Sequence, residues 1–218
     1  MKSHVKAIII GIASSAVLAL ALAQMPRRAE GSAGGNDNPH SGPPAESPRP
    51  GLTRQDIATI LSQAETAANA VNSGLRGPGT QKTRMHIAIV DRDGALIAVR
   101  SMSDAWVGSY DIAIAKARTA AFFSSDQNAL TSRVIGELSQ PGQPLWEIGN
   151  SNQTGVSGGP NTRNGLVCFP GGVPLYKDGK LVGGIGVSGD GVDQDEAVAF
   201  GGATGFPPGN IGKIGFPP

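Results

Sequence analysis

Residues 168–196, CFPGGVPLYKDGKLVGGIGVSGDGVDQDE, limit most tightly what this chain can fold into. Two apolar runs, Val173-Pro174-Leu175-Tyr176 and Leu181-Val182-Gly183-Gly184-Ile185-Gly186-Val187, flank Lys177-Asp178-Gly179-Lys180. An Asp-Gly pair between apolar runs is a strong hairpin signal. Glycines inside a strand weaken it, so another backbone, a subunit or a ligand is expected to approach the second run closely. An acidic cluster, Asp190 to Glu196, then opens a last helix reaching about residues 199–202.

The sequence upstream divides by composition. Residues 1–23 read as a secretory signal: Lys2 and Lys6 precede an apolar stretch, and Ala21-Leu22-Ala23 fits small-residue cleavage. The stretch is short for a membrane anchor, so no stable span is expected after cleavage. Residues 24–51 are a linker rich in Pro, Gly, Ser and Asn. Residues 52–203 are long enough for one domain with one core. The expected location is secreted or periplasmic. A net charge of +1 with no basic block gives nucleic-acid binding no support. Cys168 is the single cysteine, which excludes an internal disulfide. It fits a small buried residue better than a reactive thiol or a metal ligand.

Within the domain, Thr53 and Asp56 form a capping box for a helix with Ile57, Ile60, Leu61, Ala64, Ala68 and Val71 on one face. Residues 85–90 and 95–100 make a hairpin around Asp91-Arg92-Asp93-Gly94. Both faces of 85–90 are apolar, so the sheet is covered on both sides. Residues 108–124 form an alanine-rich helix. Asp126 opens a third, with Leu130, Val134 and Leu138 at four-residue spacing. Residues 139–165 form a long inserted loop with Trp146 as a packed anchor and a glycosylation sequon at Asn152. The tail, residues 204–218, carries Gly-Phe-Pro-Pro twice, at 205–208 and 215–218. It is not expected to form regular structure, and either packs over a neighbouring subunit or stays disordered.

Several strings occur in a fixed order along these elements. They are Ile89-Val90-Asp91-Arg92-Asp93-Gly94, Ser101-Met102-Ser103-Asp104-Ala105 and Lys116-Ala117-Arg118-Thr119-Ala120. Next come Pro170-Gly171-Gly172-Val173-Pro174, residues 182–189 (VGGIGVSG) and Gln194-Asp195-Glu196. Over about residues 52–203 the chain resembles the GlcG/HbpS-type haem-binding family, whose domain also ends the PduO-type corrinoid adenosyltransferases. The resemblance implies an α+β, profilin-like fold: an antiparallel sheet of about five strands flanked by helices. It also implies a homo-oligomer and a haem or iron-ion ligand. A Thr in the helix after the first hairpin is linked to haem in such proteins, which transfers to Thr119. The first-helix His of PduO-type members has no counterpart between residues 52 and 71.

The residues themselves leave alternatives open. His86 is the only imidazole in the domain. It is either a haem or metal ligand or a hydrogen-bonded core residue. Thr119 has a hydroxyl that ligates iron poorly, and a helical Thr commonly bonds its own backbone. Lys116 suits a haem propionate, another carboxylate or a solvated helix face. Tyr110 is a haem ligand or a packed ring, and Tyr176 is read the same way. Met85 and Met102 read as core filler. Asp193, Asp195 and Glu196 suit a hard cation or iron, or simply complement the helix dipole. The glycines lack a phosphate-loop pattern, and the domain lacks the Cys/His set of a closed zinc site.

No nucleophile–base pair stands out, so no catalytic residue is assigned. The expected function is that of an exported haem-binding protein that scavenges haem or reports it to a sensor or transport partner. The alternatives are an enzyme or accessory subunit acting on a small organic acid or aromatic compound, and a structural oligomer without a cofactor.

Overall fold

The structure, a computed structural model, describes residues 51–77, 79–146 and 166–214. The signal, the linker up to residue 50, the sequon and the second Gly-Phe-Pro-Pro copy lie outside the described residues. In chain order the elements are α1 (Arg54–Ala70), β1 (His86–Asp91), β2 (Leu96–Ser101), α2 (Ser109–Phe122) and β3 (Asn128–Leu130). Then follow α3 (Ser132–Leu138), β4 (Gly172–Lys177), β5 (Lys180–Ser188), α4 (Val192–Gly202) and β6 (Gly212–Ile214).

Local sequence starts these elements where expected. The Thr53 hydroxyl accepts from Asp56 N at 3.1 Å, and Asp56 Oδ2 accepts from Thr53 N at 2.8 Å. That reciprocal pair closes the capping box and starts α1. Asp178 and Gly179, with φ of 51° and 72°, take the left-handed conformations that a two-residue β4–β5 turn needs.

The two hairpins pair through β1 and β5, giving a four-stranded antiparallel sheet in the order β2-β1-β5-β4. Alternation sorts its side chains. Ile87, Ile89, Val173, Leu175, Ile185 and Val187 meet Ile60, Ala64 and Ala68 of α1 and Val198 and Ala199 of α4. Ala88 and Val90 face the other way, onto Ala113, Ile114, Ala117 and Ala121 of α2. The sheet is thus covered on both faces, as the unbroken apolar run of β1 requires.

The glycines of β5 owe their place to α2. A Cβ on Gly186 would overlap the Ala113 carbonyl and the Ala117 amide, and one on Gly184 would overlap the Ala117 carbonyl. The close neighbour is a helix backbone of the same chain. Overpacking at such a site costs about 1–3 kcal/mol.

Three expectations need correction. The α+β class holds, but the main sheet has four strands among the described residues, and β3 and β6 form a separate parallel pair. Asp126 does not open the third helix. Residues 128–130 are extended against β6, and α3 starts at Ser132 behind an N-cap at Thr131. Leu130 matched the helical spacing by coincidence of position. The described part of the tail, residues 204–214, includes regular structure. Phe206 packs into the main core, and its carbonyl accepts from Tyr176 N at 3.1 Å before β6 forms. Among the described residues no helix is long and apolar enough to cross a membrane.

Candidate functional site

The close seating of α2 on β5 buries its polar side chains. Lys116 and Thr119 are 1% and 0% exposed. Lys116 Nζ donates to Asp195 Oδ2 at 2.6 Å and to the Val187 carbonyl at 3.1 Å. The other Asp195 oxygen accepts from Asp190 N at 3.0 Å. Of the partners Lys116 suits, the structure supplies an internal carboxylate. Burial pushes the Lys116 ammonium down and, despite the attraction, pushes the Asp195 carboxyl up to about 6.

Thr119 Oγ1 lies 2.9 Å from the Ala115 carbonyl and 3.0 Å from the Val167 carbonyl, and accepts from Val167 N at 3.1 Å. It therefore fastens the segment 166–172, which follows the long loop and leads into β4. Ser132, at the start of α3, holds the same segment further along. Its hydroxyl donates to the Phe169 carbonyl at 2.7 Å and accepts from Gly172 N at 2.8 Å. Gly171, at φ 117°, and Gly172 let the segment pass where side chains would meet Asp195, Lys116 and Ser132.

Between α3 and this segment opens a cleft of about 590 Å3. Arg133, Glu137, Trp146, Cys168, Phe169 and Pro170 are among its lining residues. Trp146 and Phe169 are both about half exposed there. Cys168 is half-buried rather than part of the core. Burial pushes its thiol up, partly offset by a hydrogen bond with Ser139. Neither Lys116, Thr119, His86 nor Tyr110 lines this cleft.

His86 and Tyr110 form a separate cluster. His86 Nε2 is 3.0 Å from the Trp106 carbonyl, which only accepts, so this nitrogen carries the proton. Nδ1 then faces Ser101 Oγ at 2.8 Å. Both ring nitrogens are engaged, and the Tyr110 ring meets the imidazole edge to face at 5.4 Å. Nor do the three carboxylates foreseen for a cation converge. Asp195 turns inward to Lys116, while Asp193 and Glu196 accept from Arg133 at 2.6 and 2.8 Å. No group of three or more His, Cys, Asp or Glu able to hold a metal ion occurs among the described residues.

A family model described as haem degrading protein HbpS-like matches residues 52–204. The chain belongs to this HbpS-like family. A protein of Citrobacter freundii, described as an uncharacterized 15.0 kDa protein in the dhaT-dhaS intergenic region, is 33% identical over 146 residues. That match covers 66% of this chain and 90% of the relative. Corrinoid adenosyltransferase PduO of the same organism is 35% identical over 113 residues, which are 52% of this chain and only 29% of PduO. Among solved structures, a PduOC:heme complex superposes with a TM-score of 0.56 at 26% identity, covering 75% of this chain and 98% of that one.

In this HbpS-like domain the cleft joins residues that sequence reasoning did not assemble. Arg133 lies on a short helix, and Phe169 stands just ahead of the Pro170-Gly171-Gly172 string. One signal was present. Trp146 and Cys168 stand near the two ends of the long inserted loop, and both line the cleft.

Proposed function

We propose that this protein is an exported haem-binding protein and that haem occupies the cleft between α3 and residues 166–172. The observation that carries the reading is the make-up of that cleft. Its volume lies in the range of small-molecule and cofactor pockets. Trp146, Phe169 and Pro170 offer apolar surface, Cys168 offers a sulfur, and the rim carries Glu137 and the Arg133 guanidinium, whose Nε and Nη2 already bind Glu196 and Asp193. A haem needs apolar surface, a ligand for iron and a hydrogen-bond donor for its propionates, and Trp146 and Phe169, Cys168 and Arg133 are residues of those kinds. The donor set therefore fits the group. Family membership and the likeness to the PduOC:heme complex support haem as the ligand.

In this proposal Cys168 would hold the iron, as its thiolate, and Arg133 would meet a propionate. When bound, haem supplies its own iron chemistry, while the protein selects, orients and shields it. Lys116 and Thr119 act from behind the wall, because both are buried and already bonded. Export, from the signal-like residues 1–23, makes the role one of scavenging haem or reporting it to a partner.

The test is titration of the purified chain with haemin, followed at the Soret band. Saturation at about one haem per chain in the micromolar range supports the proposal. A linear response without saturation removes it. Cys168→Ala moves or abolishes the Soret position. An unchanged band in that variant means the iron is held elsewhere. Bleaching of bound haem under peroxide would add turnover to binding.

A further inference from the structure

The cleft wall formed by Cys168, Phe169 and Pro170 is fastened by two hydroxyls that do not line the cleft. Thr119 and Ser132 are both fully buried. Thr119 reaches the backbone of Val167 across 48 residues of chain, through one contact to its N–H and one to its carbonyl. A helical Thr bonding its own turn explains only the Ala115 contact. Ser132 binds the carbonyl of Phe169 and the N–H of Gly172. Together the two hydroxyls hold Val167, Phe169 and Gly172, and the side chains between them face the cleft.

The two ends of the wall are not held alike. Toward β4, the Gly171 carbonyl accepts from Val187 N at 2.8 Å, and Gly172 pairs with Gly186, so the sheet anchors that end. At the Val167 end, Thr119 holds the backbone of Val167, and Ser139 hydrogen-bonds the Cys168 thiol one residue on.

We infer that Thr119 and Ser132 are positioning residues for the cleft. They fix where Cys168 and Phe169 stand without touching the ligand. This rests on the reading of the cleft as the ligand site, but it has a readout independent of haem. Cys168 is the only cysteine of the chain, so the rate of thiol modification by a disulfide reagent reports the wall alone.

Thr119→Val keeps the shape and removes the hydroxyl, leaving Val167 N–H without that partner. Thr119→Ser keeps the hydroxyl. The expected result for Thr119→Val is roughly tenfold faster thiol modification and a similar weakening of haemin affinity. Thr119→Ser stays near the parent on both, and Ser132→Ala moves both in the direction of Thr119→Val. Circular dichroism checks that each variant is folded; if Thr119→Val is not, Ser132→Ala and Thr119→Ser decide the matter. Parent-like thiol rate in Thr119→Val and Ser132→Ala overturns the inference, as does a Thr119→Ser that behaves like Thr119→Val. If the parent takes up no haemin while Thr119→Val still speeds thiol modification, the haem proposal fails and the positioning role stands. If haemin binds and the variants change neither readout, the positioning role fails alone.

Discussion

The first turn of α4 carries two cation–carboxylate systems with opposite fates. Asp195 turns inward to Lys116, and the two side chains are 3% and 1% exposed. Asp193 and Glu196, its near neighbours, bind Arg133 instead; Asp193 is 79% exposed and Glu196 15%. The contact distances are alike, so geometry does not separate the systems. Water does. Burial pushes Lys116 down and Asp195 up to about 6, against the pull of each on the other. For Arg133, the hydrogen bond with Asp193 outweighs desolvation and pushes the guanidinium up. A buried pair is costly to form and worse to break, whereas a surface pair contributes little either way. The buried pair acts as a locator: it ties α2 to α4 and to the Val187 carbonyl, directly behind Gly171 of the cleft wall.

Breaking one side of the buried pair gives the largest effect. Lys116→Met leaves Asp195 with no cation in an apolar setting and is expected to cost about 3–5 kcal/mol in urea unfolding. Replacing both partners, as in Lys116→Met with Asp195→Leu, recovers most of that loss. A single-variant cost below about 1 kcal/mol would place the pair with the surface ones and erase the contrast.

The pH dependence sharpens the same contrast. The carboxyl of Asp195 holds its proton more tightly in the folded state, at about 6, than at its ordinary 3.8. The folded state therefore binds more protons between those values, and the contribution of Asp195 to stability rises as pH falls from about 6 toward 4. Comparison with Asp195→Asn isolates it, with an expected gain on the order of 2 kcal/mol for the parent over that window. Asp56 runs the other way. Hydrogen bonding to Lys177 and Thr53 holds its carboxyl down at about 2, so its stabilising share is lost only as pH falls from about 4 to 2. The two windows do not overlap. A parent whose advantage over Asp195→Asn is flat between pH 6 and 4 would show Asp195 to be solvated.

The sequence was legible wherever structure is decided locally. The Thr53–Asp56 box and the Asp178-Gly179 turn need only a few adjacent residues, and both form as read. The β5 glycines announced a close approach, but the identity of the neighbour depends on how α2 docks, which no local pattern encodes. Leu130 fitted a helix by spacing, yet pairing of β3 with β6 across more than 80 residues takes it into a strand. The site suffered most from this. Arg133 and the Cys168–Pro170 wall come from segments over 30 residues apart, and neither has a periodic signature. Lys116 and Asp195 were each singled out, but their meeting was not foreseen, because it depends on two helices converging at one end of the sheet.

Arg133 gives the smallest stability effect and the clearest separation of fold from function. Arg133→Ala removes a cation that is 33% exposed from Asp193, which is 79% exposed, and from Glu196, which is only 15% exposed, so the expected loss is about 1–2 kcal/mol. Glu196 keeps one oxygen buried without a partner, which sets the loss above zero. The same guanidinium lines the cleft, so haemin affinity should fall roughly three- to tenfold, as for a lost charge-assisted contact. Unfolding and titration on one preparation give both numbers. A small stability change with a clear affinity loss means that the outward-facing pair serves the cleft while the inward-facing pair serves the fold. A stability loss comparable to Lys116→Met, with affinity unchanged, would reverse those assignments and make Arg133 the structural tie between α3 and α4.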